Sequence, residues 1–155
     1  MSLEESIQSA FADVQHPGKD RITKCTWAGC PECAEISQTF GSKSAVSVED
    51  AVLAEHTALP LFTPEAFHYF IPAYMLYSIR HPNSDVTFFT RQTLGEARVD
   101  AFYVNRWRLF TARQREAVIS FLQFLRSHEI EGDDQTKREY EERIDAVIKV
   151  WKEMA

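Results

Sequence analysis

The chain has 155 residues, of which 45% are hydrophobic and 26% charged, and its formal net charge is −6 at pH 7. This composition is typical of a globular protein and excludes the collagen-like, disulfide-rich and intrinsically disordered classes. The acidic balance argues against a nucleic-acid partner, because a surface that follows phosphates needs clustered lysine and arginine. The length suits one domain, so we predict a single helical domain over residues 1–155.

The N-terminal residues 1–5 are acidic and no apolar run follows them, which is unlike a secretory signal. The most apolar stretch, residues 66–79, contains His68 and Pro72 and is shorter than the roughly 20 residues of a bilayer span. We therefore expect no membrane partner. An odd, clustered set of 3 cysteines without an export signal predicts free thiols and a cytoplasmic location.

Helix-capping signals divide the first part of the chain into short helices. Ser2 followed by Glu5 forms a capping-box pattern, and the first helix should continue until the breaker at residues 16–18. Pro31 suits the first position of a second helix, which should run to the residue before Gly41.

The clearest helix start is Thr63-Pro64-Glu65, which combines a capping hydroxyl, a first-turn proline and an acid near the positive end of the helix dipole. A short third helix, from a cap at residues 47–50 to about residue 55, lies before this start. In the helix that begins after Thr63, apolar side chains cover nearly the whole circumference as far as Ile79, which predicts the central helix of a bundle. Pro72 inside it should produce a kink.

Residues 83–110 carry no clear periodic pattern. Residues 86–89 are compatible with a short strand, and residues 101–110 with a helix or an extended segment. Because a structureless loop of this length is unusual and aromatic residues recur through it, we expect an ordered segment across the core.

Two further helices are predicted in the last third of the chain. Thr111 with Gln114 forms another capping box, and Gly132 separates this helix from the last one. The last helix has an apolar face, and its opposite face pairs Glu139 with Arg143 in the favourable i,i+4 order. Together these patterns predict an all-α fold, a compact single-domain bundle of five or six helices with at most one short strand element.

The 3 cysteines lie close together as Cys25-x4-Cys30-x2-Cys33. Thiolates are preferred zinc ligands, and the Cys-x2-Cys spacing lets both sulfurs reach one tetrahedral ion. Cys25, Cys30 and Cys33 are therefore candidate zinc ligands. A fourth ligand would be needed, and the candidates are His16, Asp20 and His56.

The same cysteines fit two other interpretations. At the N-cap of a helix, Cys30 would have a lowered thiol pKa, with Cys33 one turn away as the resolving thiol. The motif Cys30-Pro31-Glu32-Cys33 resembles that of glutaredoxins, although the chain lacks the βαβ pattern that their fold requires. In the third interpretation all 3 cysteines are small packing residues, since free cysteine is often buried.

Two other patterns are weaker. Glu65-x2-His68 is half of the carboxylate–histidine motif of a di-iron bundle, and no second copy occurs. A local basic patch indicates either a solvated helix face or a surface for an acidic partner. Its members are Arg106, Arg108, Arg113 and Arg115.

Two segments resemble a family of small bacterial proteins of unknown function. One is the CPEC segment at 30–33 with residues 40–43, and the other is residues 59–74, which include the string TPEAFHYFIPAY. The resemblance continues through residues 110–122. It implies a bacterial, cytoplasmic, uncharacterised domain and supplies no catalytic residues.

The sequence contains no complete catalytic constellation. The leading hypothesis is therefore a non-enzymatic helical protein that binds an unidentified protein or small-molecule partner. A cleft for it is expected between Tyr69, Tyr74 and Tyr77 and the segment 102–110. The alternatives are a zinc-binding domain and a thiol oxidoreductase, both built on the three cysteines.

Overall fold

The structure is a computed structural model that describes residues 1–25, 29–56, 58–96, 106–128 and 130–154. In these ranges the chain forms seven α-helices and no sheet. The helices are α1 Leu3–Phe11, α2 Pro31–Gly41, α3 Asp50–Glu55, α4 Pro64–Arg80, α5 Asp85–Gly95, α6 Ala112–Ser127 and α7 Asp134–Glu153. The predicted all-α class is confirmed, with more helices than the five or six expected.

Capping side chains begin the helices where the sequence predicts them. The backbone N–H of Glu5 donates to Ser2 Oγ at 3.1 Å, and the N–H of Ser2 donates to the Glu5 carboxylate at 2.7 Å. Thr111 and Gln114 form the same reciprocal pair at the start of α6. Such caps satisfy N–H groups that have no partner within the helix.

Helix α1 ends earlier than the sequence predicts. It stops at Phe11 rather than continuing to the breaker at residues 16–18, and Val14 N–H donates to the Phe11 carbonyl in a tight turn. A tertiary contact holds His16 outside the helix, since its ring bonds to the Phe40 carbonyl in α2 at 3.3 Å.

Helix α4 is the centre of the fold, as predicted. It contacts α1, α3, α5 and α6, and Phe67, Ala73 and Met75 on its different sides are all buried. Pro72 lies inside this helix. Among the described helices, none has the length and apolar character needed to cross a bilayer.

Residues 86–89, which the sequence leaves compatible with a short strand, form no strand and belong to α5. Ser84 Oγ caps the helix by accepting from Thr87 N–H at 3.2 Å. The hydroxyl of Thr90 donates to the carbonyl one turn earlier at 2.7 Å, so a β-branched residue is accommodated in the helix. Packing of the buried Leu94 against the core overrides local strand propensity.

The C-terminal helix closes the core through aromatic packing. Trp151 packs edge-on against Trp107 at 4.9 Å and against Phe110 at 5.2 Å between ring centroids. Its Nε1–H donates to the Leu94 carbonyl at 3.0 Å, which ties α7 to α5. Trp107 and Phe110 come from the second unclear segment of the sequence, whose residues 101–105 lie outside the described residues.

The segment between α1 and α2 is attached to the start of α4. Thr23 and Phe62 form an isolated antiparallel β-bridge. On either side of it, Thr63 N–H donates to the Ile22 carbonyl at 2.9 Å and Lys24 N–H donates to the Leu61 carbonyl at 3.1 Å. This short extended pairing places the next residue in the chain, Cys25, beside α2.

Candidate metal centre

Two of the three cysteines are positioned by the first turn of α2. Cys30 is the N-cap residue, Pro31 follows at the first helical position, and Cys33 lies one turn into the helix. The N–H of Cys33 donates to Cys30 Sγ at 3.4 Å, so the thiol takes the capping role that a serine hydroxyl usually has. The sequence pattern of a capped helix start therefore brings both sulfurs to one end of α2.

The third cysteine reaches the same place from a separate segment. Cys25 follows the pairing of Thr23 with Phe62, and the Thr23 hydroxyl also contacts Ser37 Oγ in α2 at 3.1 Å. These contacts hold the segment against the side of α2. The position of Cys25 is thus set by contacts with residues far along the chain.

The three sulfur atoms of Cys25, Cys30 and Cys33 all lie within 4.8 Å of one another. No disulfide joins these three cysteines; Cys33 is buried, and Cys25 and Cys30 are partly exposed. Sulfurs around a tetrahedral zinc ion, with Zn–S distances of about 2.3 Å, are about 3.8 Å apart. Only a small contraction of the cluster would therefore accommodate zinc, and the donor set suits this soft-ligand ion.

The thiols of this cluster differ in acidity. The N–H of Cys33 lowers the pKa of the Cys30 thiol, because it stabilises the thiolate. Burial, together with the neighbouring thiols of Cys25 and Cys30, raises the pKa of Cys33 to about 12. Cys30 therefore ionises before Cys33. A bound divalent cation would reverse this, since its charge stabilises every coordinating thiolate.

The three predicted candidates for a fourth ligand lie outside the described cluster. Both ring nitrogens of His16 are engaged, Nδ1 by Gly18 N–H at 2.9 Å and Nε2 by the Phe40 carbonyl at 3.3 Å. His56 packs its ring against Phe40 instead, at 6.2 Å between centroids. Asp20 is exposed. Within the described residues the cluster therefore offers three ligands, all of them sulfur.

A family model described as a family of unknown function, DUF6714, matches residues 1–155. The chain belongs to this family. The predicted membership of an uncharacterised family is thereby confirmed. No curated protein and no solved structure matches the chain. The DUF6714 description names no reaction or ligand, so the chemistry has to be argued from the site itself.

Glu65 and His68 do not form a metal site in the described part of the DUF6714 chain. Glu65 pairs with Arg21 at 2.9 Å, and His68 Nε2 bonds to Gln114 Oε1 at 2.7 Å. Their side chains are thus directed to different partners. Burial lowers the pKa of His68, which favours its neutral form.

The predicted basic patch is not one surface. Arg106 is fully buried, with its guanidinium 4.4 Å from the ring centroid of Phe67, and so is not part of a solvated face. Arg113 donates to Ser9 Oγ, and Arg115 donates to the Phe110 carbonyl. Two of the neighbouring arginines therefore have intramolecular roles.

The cleft expected beside the three tyrosines is not supported by their burial. Tyr74 is fully buried and Tyr77 is 7% exposed. Tyr69 is half-buried, and its hydroxyl oxygen accepts from Ala45 N–H at 3.2 Å. Residues 102–105, the other wall of the expected cleft, lie outside the described residues.

Arg91 is a buried arginine that lines a cavity, and the sequence patterns do not single it out. The signal that could have found it is its position on the buried face of α5, which is visible only once residues 86–89 are assigned to that helix.

Proposed function

We propose that this protein binds one zinc ion through the thiolates of Cys25, Cys30 and Cys33. The observation that carries the proposal is the convergence of three sulfur atoms within 4.8 Å from two separate chain segments. Bound zinc would supply positive charge and directed bonds without redox chemistry of its own. The ion would tie the segment between α1 and α2 to the N-terminus of α2.

The burial of the cysteines favours this role over simple packing. Cys25 and Cys30 are partly exposed, and only Cys33 is buried. A cysteine that serves only as a small apolar residue is usually fully buried. Three thiols gathered at the edge of the core are better explained as ligands.

The surrounding fold supports a local stabilising role. The described residues between Phe11 and Pro31, 12–25 and 29–30, contain no helix, and long irregular segments gain from a tie to their surroundings. Phe70, Phe121 and Trp151 are at most 1% exposed, and other hydrophobic residues of the core cover them. We therefore expect zinc to stabilise this segment rather than to be required for folding of the whole chain.

Elemental analysis tests the proposal directly. Protein produced in zinc-supplemented medium and purified without chelator should contain about one zinc per chain by mass spectrometry. X-ray absorption should show three sulfur neighbours at about 2.3 Å and would identify the element of the fourth neighbour. A zinc content below about a tenth of an equivalent would refute the proposal.

Variants distinguish the loss of a zinc ligand from a change in the fold of the segment between α1 and α2. Cys25→Ser and Cys33→Ser should each lose most of the bound zinc, because each removes one of the described ligands. Ser37→Ala is the matched control, since it removes the contact with Thr23 at 3.1 Å but keeps all three sulfurs. It should retain zinc. Equal loss in Ser37→Ala would show that the cysteine variants act through the fold of the segment.

Thiol–disulfide exchange is the second candidate function, and the lowered pKa of Cys30 is the observation in its favour. The Cys30 thiolate would attack a substrate disulfide and release one substrate thiolate. Cys33, after losing its proton, would then displace the second substrate thiolate and close a Cys30–Cys33 disulfide, so two electrons pass to the substrate. This scheme leaves Cys25 without a role, which is why zinc is preferred. A zinc-free protein with a reversible Cys30–Cys33 disulfide would favour exchange.

A further inference from the structure

A cavity of about 290 Å³ lies between α5, the end of α6 and the first half of α7. It is far in sequence from the cysteine cluster and shares no residue with it. Its walls combine aromatic, aliphatic and cationic side chains. Those that carry the following inference are Phe88, Arg91, Leu125, Glu139, Tyr140 and Arg143.

Arg91 is the unusual member of this lining. It is only 8% exposed, and it makes no ion pair or side-chain hydrogen bond within the described chain. Elsewhere the fold supplies such partners: Arg80 pairs with Asp50, and Arg126 pairs with Asp145. A largely buried guanidinium without an anion is costly, because it has lost much of its hydration.

Aromatic rings compensate only part of that cost. The guanidinium carbon of Arg91 lies 5.1 Å from the ring centroid of Phe88 and 5.7 Å from that of Tyr140. These cation–π contacts stabilise the charge but accept no hydrogen bonds from the in-plane N–H groups. Tyr140 is itself held in place, since its hydroxyl donates to the Leu125 carbonyl at 2.8 Å. The wall of the cavity is therefore organised in advance of any ligand.

The charges around the cavity favour an anion. Arg143 also lines it and makes no ion pair with a described residue, although the sequence predicts a pair with Glu139. The carboxylate of Glu139, the one acid in the described lining, accepts instead from Gln135 Nε2 at 3.1 Å. Burial is the main reason that the pKa of Arg91 is lowered; Tyr140 opposes this effect and the charge of Arg143 adds to it. An anion placed here would relieve the penalty of burial.

We propose that this cavity binds a small organic anion whose carboxylate pairs with Arg91 and Arg143 and whose apolar body packs against Phe88 and Leu125. A carboxylate matches the planar donor fork of a guanidinium. The volume is at the lower end of the range of ligand cavities, which limits the ligand to a small molecule. Phe88, which is 46% exposed, would gain cover from the apolar body.

Three simple probes test the proposal on the whole chain, using amide chemical shifts in NMR titrations. Benzoate should bind and shift the amides of the lining residues. Benzamide, its neutral analogue, and inorganic phosphate, which has charge but no apolar body, should each bind at least about tenfold more weakly. Equal binding of benzoate and benzamide would overturn the assignment of an anion site. Equal binding of benzoate and phosphate, or shifts confined to another surface, would overturn the proposed ligand class or location.

Charge variants assign the binding to the cavity. Arg91→Gln should weaken benzoate binding by about tenfold or more, and Arg143→Gln should weaken it to a smaller extent because this side chain is exposed. Glu139→Gln should strengthen it. Arg138→Gln, an exposed site on the same helix outside the described lining, is the control and should leave binding unchanged. If Arg91→Gln does not fold, the opposite effects of Arg143→Gln and Glu139→Gln still decide, and their absence would refute the proposal.

Discussion

The hydroxyl of Tyr74, at the centre of α4, donates a 2.8 Å hydrogen bond to the backbone carbonyl of His56, where α3 ends. Tyr74 is fully buried, and burial raises the pKa of its phenol well above the usual range. This contact joins the central helix to the connection that follows α3. It also satisfies a carbonyl group at a helix end, where no partner within the helix is available.

Tyr74→Phe should lower the free energy of unfolding by about 1–2 kcal/mol, because it removes this donor while keeping the ring. Urea denaturation followed by circular dichroism measures the change. Tyr69→Phe is the control: Tyr69 is half-buried and its hydroxyl accepts from the part-buried Ala45 N–H, so its loss should cost less. An equal cost for both variants would contradict the special role of the Tyr74 contact.

Trp151→Ala should destabilise the fold by about 3–5 kcal/mol, because it opens a large cavity in the core. The side chain is 1% exposed and packs against Trp107 and Phe110. The variant also leaves the Leu94 carbonyl without its indole donor. Phe89→Ala is the comparison, since Phe89 is 44% exposed; its cost should stay within about 1 kcal/mol. A small loss in Trp151→Ala would show that α7 is not part of the cooperative core.

In the metal-free protein, Cys30 should be alkylated faster than Cys33 when iodoacetamide labelling is followed by peptide mass spectrometry. Cys30 has a lowered pKa and is partly exposed, whereas burial raises the pKa of Cys33 to about 12. The Cys30 rate should rise with pH and level off below the pH expected for an ordinary thiol, since the thiolate is the nucleophile. Faster labelling of Cys33 would contradict the assigned geometry.

Asp50 should make stability sensitive to acid. Arg80 and His81 both bond to its carboxylate, and the hydrogen bond from Arg80 is the main reason that its pKa is lowered. A lowered folded-state pKa gives stability that is present above the unfolded value of about 3.9 and is lost as the pH falls through the folded value.

Asp50→Asn should therefore reduce the free energy of unfolding at pH 7 by less than about 1 kcal/mol, because the pair is largely exposed. The difference between variant and wild type should shrink as the pH falls below about 4. Denaturation at pH 7 and at pH 3 measures both values. A difference that grows on acidification would have the wrong sign.

Local signals were sufficient for much of the fold. The sequence predicts three helix starts, because each capping residue bonds to a residue only three positions away. These starts are the capping boxes at Ser2 and Thr111 and the cap at Thr63. Helix α5 is missed because its β-branched residues favour a strand locally, while the burial of Leu94 against the core decides for helix. Where the local sequence is compatible with more than one secondary structure, contacts between residues far apart in sequence determine which one forms.

The candidate metal site likewise has a part that the local sequence predicts and a part that it does not. Cys30 and Cys33 share one helical turn, so their spacing alone predicts that their sulfurs are close. Cys25 joins them through the bridge between Thr23 and Phe62, which no local pattern encodes. His16 lies outside the described cluster, and its ring bonds to Gly18 two residues away and to the Phe40 carbonyl, a non-local contact.

Thr63 has a double role at the junction of the cysteine segment and the central helix. Its side chain accepts from Ala66 N–H, which begins α4, and also donates to the Arg21 carbonyl at 2.6 Å. Its own N–H donates to the Ile22 carbonyl. The segment can therefore separate from the bundle only if the first turn of α4 loses contacts as well. Opening of this region should accordingly be a shared event, in which amide protons on both sides exchange with solvent together.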